Sequence, residues 1–228
     1  MYTKTKVIIF GLVACVSFSG QASLYKFDDM NANNGGMSDQ LESIESTYNT
    51  GSNQFTWDVV FNDDARGIDG FWLVVNNGPN PKRSNVNELA IMYGDMESGI
   101  LTTYAYNGRN SSNSYLNPGT LLQTDTFTAN SDGLSIDIDV SAINAWVSPD
   151  RDYSGIQYDE KVGIWFHISK NSNFNYGQSG LLQQYSYGAQ GWYDSANLSA
   201  AEVPEPRALA LLLFGLAGIG VYKKRAKS

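Results

Sequence analysis

The sequence predicts an all-β domain, built as an antiparallel two-sheet β-sandwich or jelly roll. Three observations carry this prediction. Several segments alternate with period two: Ile136, Ile138 and Val140 alternate with Ser135, Asp137 and Asp139, the pattern of a half-buried antiparallel strand. Residues 71–75, Phe-Trp-Leu-Val-Val, form an unbroken apolar run, which fits a strand covered on both faces. Turns rich in Gly, Asn and Ser separate such segments roughly every 10–15 residues, the rhythm of a sandwich.

In chain order, residues 24–27 read as an opening strand ahead of the Asn/Gly-rich segment 31–36. Residues 54–61 alternate and then turn at Asn62-Asp63-Asp64. The 71–75 strand is ended by Asn76-Asn77-Gly78-Pro79-Asn80-Pro81, because proline cannot donate to a ladder and Asn-Gly favours a tight turn. Further strands are expected over 88–93, 101–106, 121–128, 134–140, 162–168 and 181–187, with one short helix over 141–146. The Asn/Ser/Gly tracts 107–119 and 171–180 are expected to be long loops at the sandwich ends. The sequence carries no internal repeat.

Both ends of the chain have a different composition. Lys4 and Lys6 precede an apolar stretch over 7–18, followed by Ser19-Gly20-Gln21-Ala22. This is the layout of a secretory signal peptide cleaved after Ala22; Leu12-Val13-Ala14-Cys15 offers a lipoprotein box as the alternative, although the apolar stretch continues past Cys15. At the other end, Val203-Pro204-Glu205-Pro206-Arg207 leads into an uncharged apolar run from Ala208 to Tyr222 and then Lys223-Lys224-Arg225-Ala226-Lys227-Ser228. The prolines disfavour continued regular structure. The apolar run can enter hydrocarbon as a short helix with its backbone bonded internally. The basic cluster Lys223, Lys224 and Arg225 resists translocation and stays cytoplasmic. Roughly 20 apolar residues normally span a bilayer, so 208–222 is marginal as a permanent anchor and adequate as a transient one. The expected division is signal peptide 1–22, β-sandwich 23–202 and tail 203–228.

This tail resembles the PEP-CTERM sorting signal of Gram-negative bacteria in order, spacing and terminal position: Pro204-Glu205-Pro206, an Ala/Leu/Gly-rich run ending in Gly220-Val221-Tyr222, then Lys223-Lys224-Arg225. The resemblance implies recognition of the motif by an exosortase-type membrane enzyme, removal of the tail, and release to the cell surface or exopolysaccharide matrix. Export across the inner membrane, transient anchoring through 208–222, and an exopolysaccharide partner are what it leads one to expect. Residues 69–75, 78–82 and 88–95 are similar to a segment found in exported proteins of this kind, which adds no activity.

Charge is segregated along the chain. Residues 23–203 hold 22 acidic and 8 basic side chains, a net of −14, whereas the whole chain nets −8. So acidic a domain repels nucleic acid and anionic lipid, which sets nucleic-acid partners aside. Cys15 is the only cysteine; cleavage after Ala22 would leave none, excluding disulfides and thiolate chemistry from the mature domain. About 180 residues suit one domain with its own core.

No catalytic constellation is complete. His167 is the only histidine, so a multi-histidine metal site is excluded and a nucleophile–base pair has one candidate base. It lies mid-strand in Ile164-Trp165-Phe166-His167-Ile168, where a hydrogen-bonded strand-face histidine is expected, out of step with Trp165. Asp137 and Asp139 share a strand face roughly 7 Å apart, the best pair for glycoside hydrolysis, yet their alternation with Ile136, Ile138 and Val140 turns them to solvent. Glu88, Asp95 and Glu97 are irregularly spaced about a turn. The expectation is a protein that is not an enzyme and needs no cofactor. Asp28, Asp29, Asp63, Asp64 and Asp69 are the candidates for a structural calcium site, as acids in terminal loops can bind Ca²⁺; no complete calcium-loop pattern is present, and Asp also occurs in turns for its own hydrogen bonds. Tyr104, Tyr106, Tyr185, Tyr187, Trp192 and Tyr193 gather on late strands and their exits. Exposed, they would stack on sugar rings and make a carbohydrate-binding module; packed inward, they pair across strands. The expected function is a non-enzymatic surface or matrix component, with a carbohydrate-binding module as the alternative and a secreted glycoside hydrolase as a distant one.

Overall fold

A computed structural model describes residues 22–27, 40–62, 67–76, 81, 87–158, 161–199 and 201–202. Its strands in chain order are β1 (Ala22–Phe27), β2 (Leu41–Asn49), β3 (Gln54–Phe61), β4 (Gly70–Asn76), β5 (Glu88–Asp95), β6 (Ile100–Tyr106), β7 (Leu121–Thr126), β8 (Thr128–Asn130), β9 (Gly133–Asp139), β10 (Tyr153–Ser154), β11 (Lys161–Lys170), β12 (Asn173–Tyr176), β13 (Leu182–Ser186), β14 (Ala189–Ser199) and β15 (Ala201–Glu202), with one helix, α1 (Ser141–Ala145). One sheet has the order β15-β1-β2-β3-β9-β8, a second β14-β11-β4-β5-β6-β7 with β10 beside β5, and β12 pairs with β13 alone. Apart from the two-residue parallel pairing of β10 with β5, the described pairs are antiparallel. The protein is all-β.

Local chemistry explains these elements. In β9, Leu134, Ile136 and Ile138 are buried while Asp137 and Asp139 are exposed, as period two requires. In β3, Phe55, Trp57, Val59 and Phe61 are buried on one face. The turns are closed by amide and carboxylate side chains that accept backbone N–H groups: Asn49 Oδ1 from Gly51 and Ser52, Asn130 Oδ1 from Asp132 and Gly133, and Asp95 Oδ1 from Glu97 and Ser98. Gly94 is required by packing, since a Cβ there would stand 1.9 Å from the Phe71 ring.

A first hydrophobic cluster draws on both large sheets: Ile44, Phe55, Trp57 and Ile136 from one, Phe71, Leu73, Met92 and Phe166 from the other. Trp57 meets Phe166 edge-on at 5.4 Å, and Phe71 meets Phe127 at 5.2 Å. The opposite face of the seven-stranded sheet is buried too. There Trp72, Val74, Leu89, Ile91, Tyr93, Tyr104, Tyr106 and Trp165 form a second cluster with Tyr115, Leu182 and Tyr185. This is why every residue of β4 is buried and why its sequence reads as a continuous apolar run.

The cover of that second cluster corrects one expectation. The tracts 107–119 and 171–180 are not plain loops at the ends. The first contains two 3₁₀ turns, Asn110–Ser112 and Ser114–Leu116, and the second contains β12. Both lay side chains over the sheet: Tyr115 and Leu116 from one, Phe174 from the other. The excursion 171–188 leaves and rejoins the sheet at adjacent ladder positions, Lys170 opposite Ala189, with Gly188 N–H donating to Lys170 O.

The described chain begins and ends at one sheet edge. β14 finishes the seven-stranded sheet, and β15, one residue later, joins the other sheet beside β1, with Ser23 opposite Glu202 and Leu24 opposite Ala201.

Candidate functional site

Much of the site prediction falls outside the described residues. Pro204, Glu205, Pro206, the segment from Ala208 to Tyr222 and the basic stop at Lys223, Lys224 and Arg225 are there, as are Asp28, Asp29, Asp63 and Asp64. Ala22 is the first residue of β1 and lies opposite Asn49. Asp69, the remaining calcium candidate, is half-buried and tied into the fold: its N–H donates to Ser169 O at 3.1 Å, its carbonyl accepts from Met96 N–H at 3.1 Å, and its Oδ1 accepts from Ser172 N–H at 3.0 Å. Among the described residues no group of three or more acidic, histidine or cysteine side chains is arranged to hold a metal ion. No described helix is long and apolar enough to cross a membrane.

The acids considered for hydrolysis are part of a hydrogen-bonded polar face. Asp137 Oδ1 accepts from Gln54 Nε2, and Asp58 Oδ1 accepts from Ser135 Oγ. Asp139 Oδ1 accepts both the N–H and the hydroxyl of Ser141, which fixes the entry into α1. Those two bonds hold the exposed Asp139 carboxyl below the ordinary carboxylate range. Asp125 goes the other way: partial burial raises it, its Gln123 hydrogen bonds offset part of the rise, and Asp139 adds to it. Glu88 accepts from Ser148 Oγ, and Asp95 closes its turn. Each of these acids except Glu97 has a structural partner among the described residues.

His167 lies on the same face as Trp165, not out of step with it, because residues two apart on a strand share a face. It is buried, stacks on Trp72 with ring centroids 4.0 Å apart and planes at 21°, and accepts at Nε2 from Trp165 Nε1–H. An indole N–H can only donate, so the imidazole proton sits on Nδ1, which donates to Gln190 Oε1 at 3.0 Å. Both ring nitrogens are committed.

The aromatics divide in the same way. Tyr104, Tyr106, Tyr185 and Tyr193 are buried and Tyr187 is half-buried; nothing is described of the Trp192 side chain. Two of their hydroxyls are bonded internally, Tyr104 OH accepting from Leu182 N–H at 2.8 Å and Tyr185 OH bonding the Ser169 hydroxyl, as is that of the neighbouring Tyr93, which donates to Tyr115 O at 2.6 Å. The buried Tyr106 OH has no hydrogen-bond partner among the described residues. Burial raises Tyr93 and Tyr104, and pushes Tyr185 up to about 12 against the lowering influence of Ser169 and Ser172. In Tyr104, Tyr106, Tyr185 and Tyr193 the sugar-stacking surface suggested by sequence is interior.

One shallow cleft combines an exposed aromatic with polar groups. Asp69, Asp95, Glu97, Ser172, Asn173, Phe174 and Tyr176 line about 220 Å³. Tyr176 is 37 % exposed, and burial of the rest of the ring, with Asp95 close by, pushes its phenol up to about 12. Phe174 packs on Tyr185 at 4.9 Å, and a register shift between Asn175 and Tyr176 separates it from the exposed Tyr176 on the same strand. Sequence reasoning missed Tyr176 because it sits in Asn-Phe-Asn-Tyr-Gly, inside a tract read as loop. A larger concavity of about 360 Å³ runs along β3, β8 and β9, lined by residues that include Val60, Asp58, Asn130 and Asp132.

No family model, curated protein or solved structure matches this chain.

Proposed function

We propose that the chain is an exported, non-enzymatic surface or matrix component: a two-sheet β-sandwich over residues 23–202, carried by a signal peptide and by a C-terminal sorting tail. The observation that carries this reading is the Pro204-Glu205-Pro206 motif followed by an apolar run and a basic stop. The fold supports it, since β1 starts at the expected leader cleavage site and β15 ends at Glu202, two residues before Pro204. Cleavage after Ala22 and beyond Glu202 would take from the described strands only Ala22, the first residue of β1. An exosortase-type enzyme in the inner membrane is the implied partner, and the cell surface or exopolysaccharide matrix the destination.

Replacing Pro204 and Glu205 by Ala should hold the protein in the membrane at its unprocessed mass. Release at the wild-type mass would refute the sorting role and leave a plain anchor or incidental proteolysis. The intact mass of the released protein reports both cleavage positions and any lipid on Cys15.

Carbohydrate binding is the second reading, favoured by one observation: Tyr176 stands exposed beside Asp95, Glu97 and Asn173 in a single cleft. A glycan array probed with residues 23–203 tests it. Retention that disappears in Tyr176→Ala supports the reading, and absence of retention on every polysaccharide refutes it.

A further inference from the structure

Both chain exits leave one end of the six-stranded sheet. Ala22 lies opposite Asn49, and Ser23 lies opposite Glu202. The same end carries the β2–β3 turn and, through Gln54 opposite Asp139, the passage into α1. Val140 N–H donates to Asn53 O, and Asn144 Nδ2 donates to Tyr48 OH and Ile156 O, so these loops form one packed cap.

That cap is chemically unlike the rest of the domain. Residues 46–57 and 140–149 contain no charged side chain, in a domain netting −14 over 23–203. Val147 is 80 % exposed, and Trp146 beside it is only half-buried. The nearest acid of the other sheet, Glu88, is bonded by Ser148 Oγ. Carboxylates fringe the cap: Asp139 accepts from Ser141, Asp137 accepts from Gln54, Glu202 lies at the same sheet end, and Asp150 is followed by Arg151.

The tether is short. Five residues, 203–207, separate Glu202 from Ala208, and the six steps between them, at 3.3–3.6 Å each, span at most about 22 Å. The polar layer on each side of the hydrocarbon is about 5–7 Å thick. While 208–222 is in the bilayer, the end bearing Glu202 is therefore held within roughly 15 Å of the lipid headgroups. An acidic surface so placed would be repelled by anionic lipid; these uncharged loops with an exposed Val, fringed by Asp137 and Asp139, present less of that repulsion than the opposite end, whose turns carry Asp95, Glu97 and Asp132.

We infer that the cap formed by residues 49–54 and 140–149 is a membrane-apposed face, seated on the lipid headgroups while the tail is in the bilayer. The inference rests on the tail reading above. The opposite end, with the turns at 96–99 and 131–132, points away from the membrane.

The test uses residues 23–228, the chain left by cleavage after Ala22, which contain no cysteine, carrying a single fluorophore at Val147→Cys or at Ser131→Cys. Each is reconstituted into phosphatidylethanolamine/phosphatidylglycerol vesicles containing a headgroup nitroxide lipid. Flotation reports anchoring and quenching reports apposition. Several-fold stronger quenching at position 147 than at position 131 is the expected result. Flotation with equal quenching at the two positions overturns the inference and leaves the tail reading intact. Failure to float overturns both.

Discussion

Truncating Trp72 to Ala should destabilise the domain as severely as a mutation in its central core. Trp72 is fully buried on the face of β4 that meets the second cluster. Its ring stacks on His167 at 4.0 Å, Tyr115 at 5.2 Å and Tyr187 at 5.3 Å, and meets Tyr185 edge-on at 5.5 Å. Burying a ring of this size removes about 150–250 Å² from water, worth about 4–6 kcal/mol at about 25 cal/mol per Å². One term opposes this: Trp72 Nε1 has no hydrogen-bond partner, and deleting a buried unpaired donor recovers about 1–3 kcal/mol. The net expectation is a loss of about 3 kcal/mol, a large part of the 5–15 kcal/mol typical of a domain. Trp72→Phe keeps a ring and removes the N–H, so it should cost less than half as much. Urea unfolding of residues 23–202, followed by tryptophan fluorescence and far-ultraviolet circular dichroism, measures both, with Trp57→Ala as the reference for the first cluster. If Trp72→Ala changed stability by no more than about 0.5 kcal/mol, as surface positions do, the second cluster would be a ligand-ready surface and the reasoning would fail.

Other outcomes follow from the titrating groups. Asp139 is held low in the folded state by Ser141, so its contribution is present above the ordinary carboxylate range and lost as pH falls through the lowered value. Asp139→Ala should flatten the acid limb of a plot of urea midpoint against pH; an unchanged limb would refute the role of the Ser141 bonds. Asp125 is raised by burial, so its folded form favours the proton and stability falls as pH rises through that value. Asp125→Asn should raise the thermal midpoint at neutral pH but not in strong acid, and a loss at neutral pH would contradict this. Tyr185, pushed up to about 12, contributes stability below the ordinary phenol range that is lost as pH climbs through the raised value. Phenolate absorbance should show a late tyrosine class rising together with unfolding, and full ionisation of all tyrosines in the folded state would contradict the burial.

Where alternation was clean, sequence and structure agree: β3, β9 and the β4 run were legible because each buries consecutive or alternate apolar side chains. β2 was missed because a register shift between Leu41 and Ser43 breaks its period, and because the buried Ser46 stands where an apolar residue would have marked the strand. β14 was missed because Ala189–Ser199 is a polar edge strand with a Gly near its start, opposite a bulge in β11. The misread site has a different cause. Residue type marks an aromatic as large and flat, but burial is decided by what crosses above it. The cover comes from 3₁₀ turns and a hairpin in Asn/Ser/Gly tracts, where apolar periodicity is faint. Tyr176 shows the converse, an exposed ring whose strand was hidden by its neighbours.

The pairing of Ser23 with Glu202 makes the domain close to a ring. Antiparallel partners have Cα atoms about 4.5–5.5 Å apart, so a two-residue type I′ turn could join these positions as an ordinary hairpin. The strand order along the chain would then have no structural beginning. New ends could be opened at an exposed turn, such as Gly51-Ser52, without unpairing any strand. The sheet pairing by itself therefore does not dictate where along this circuit the strands from Ser23 to Glu202 begin.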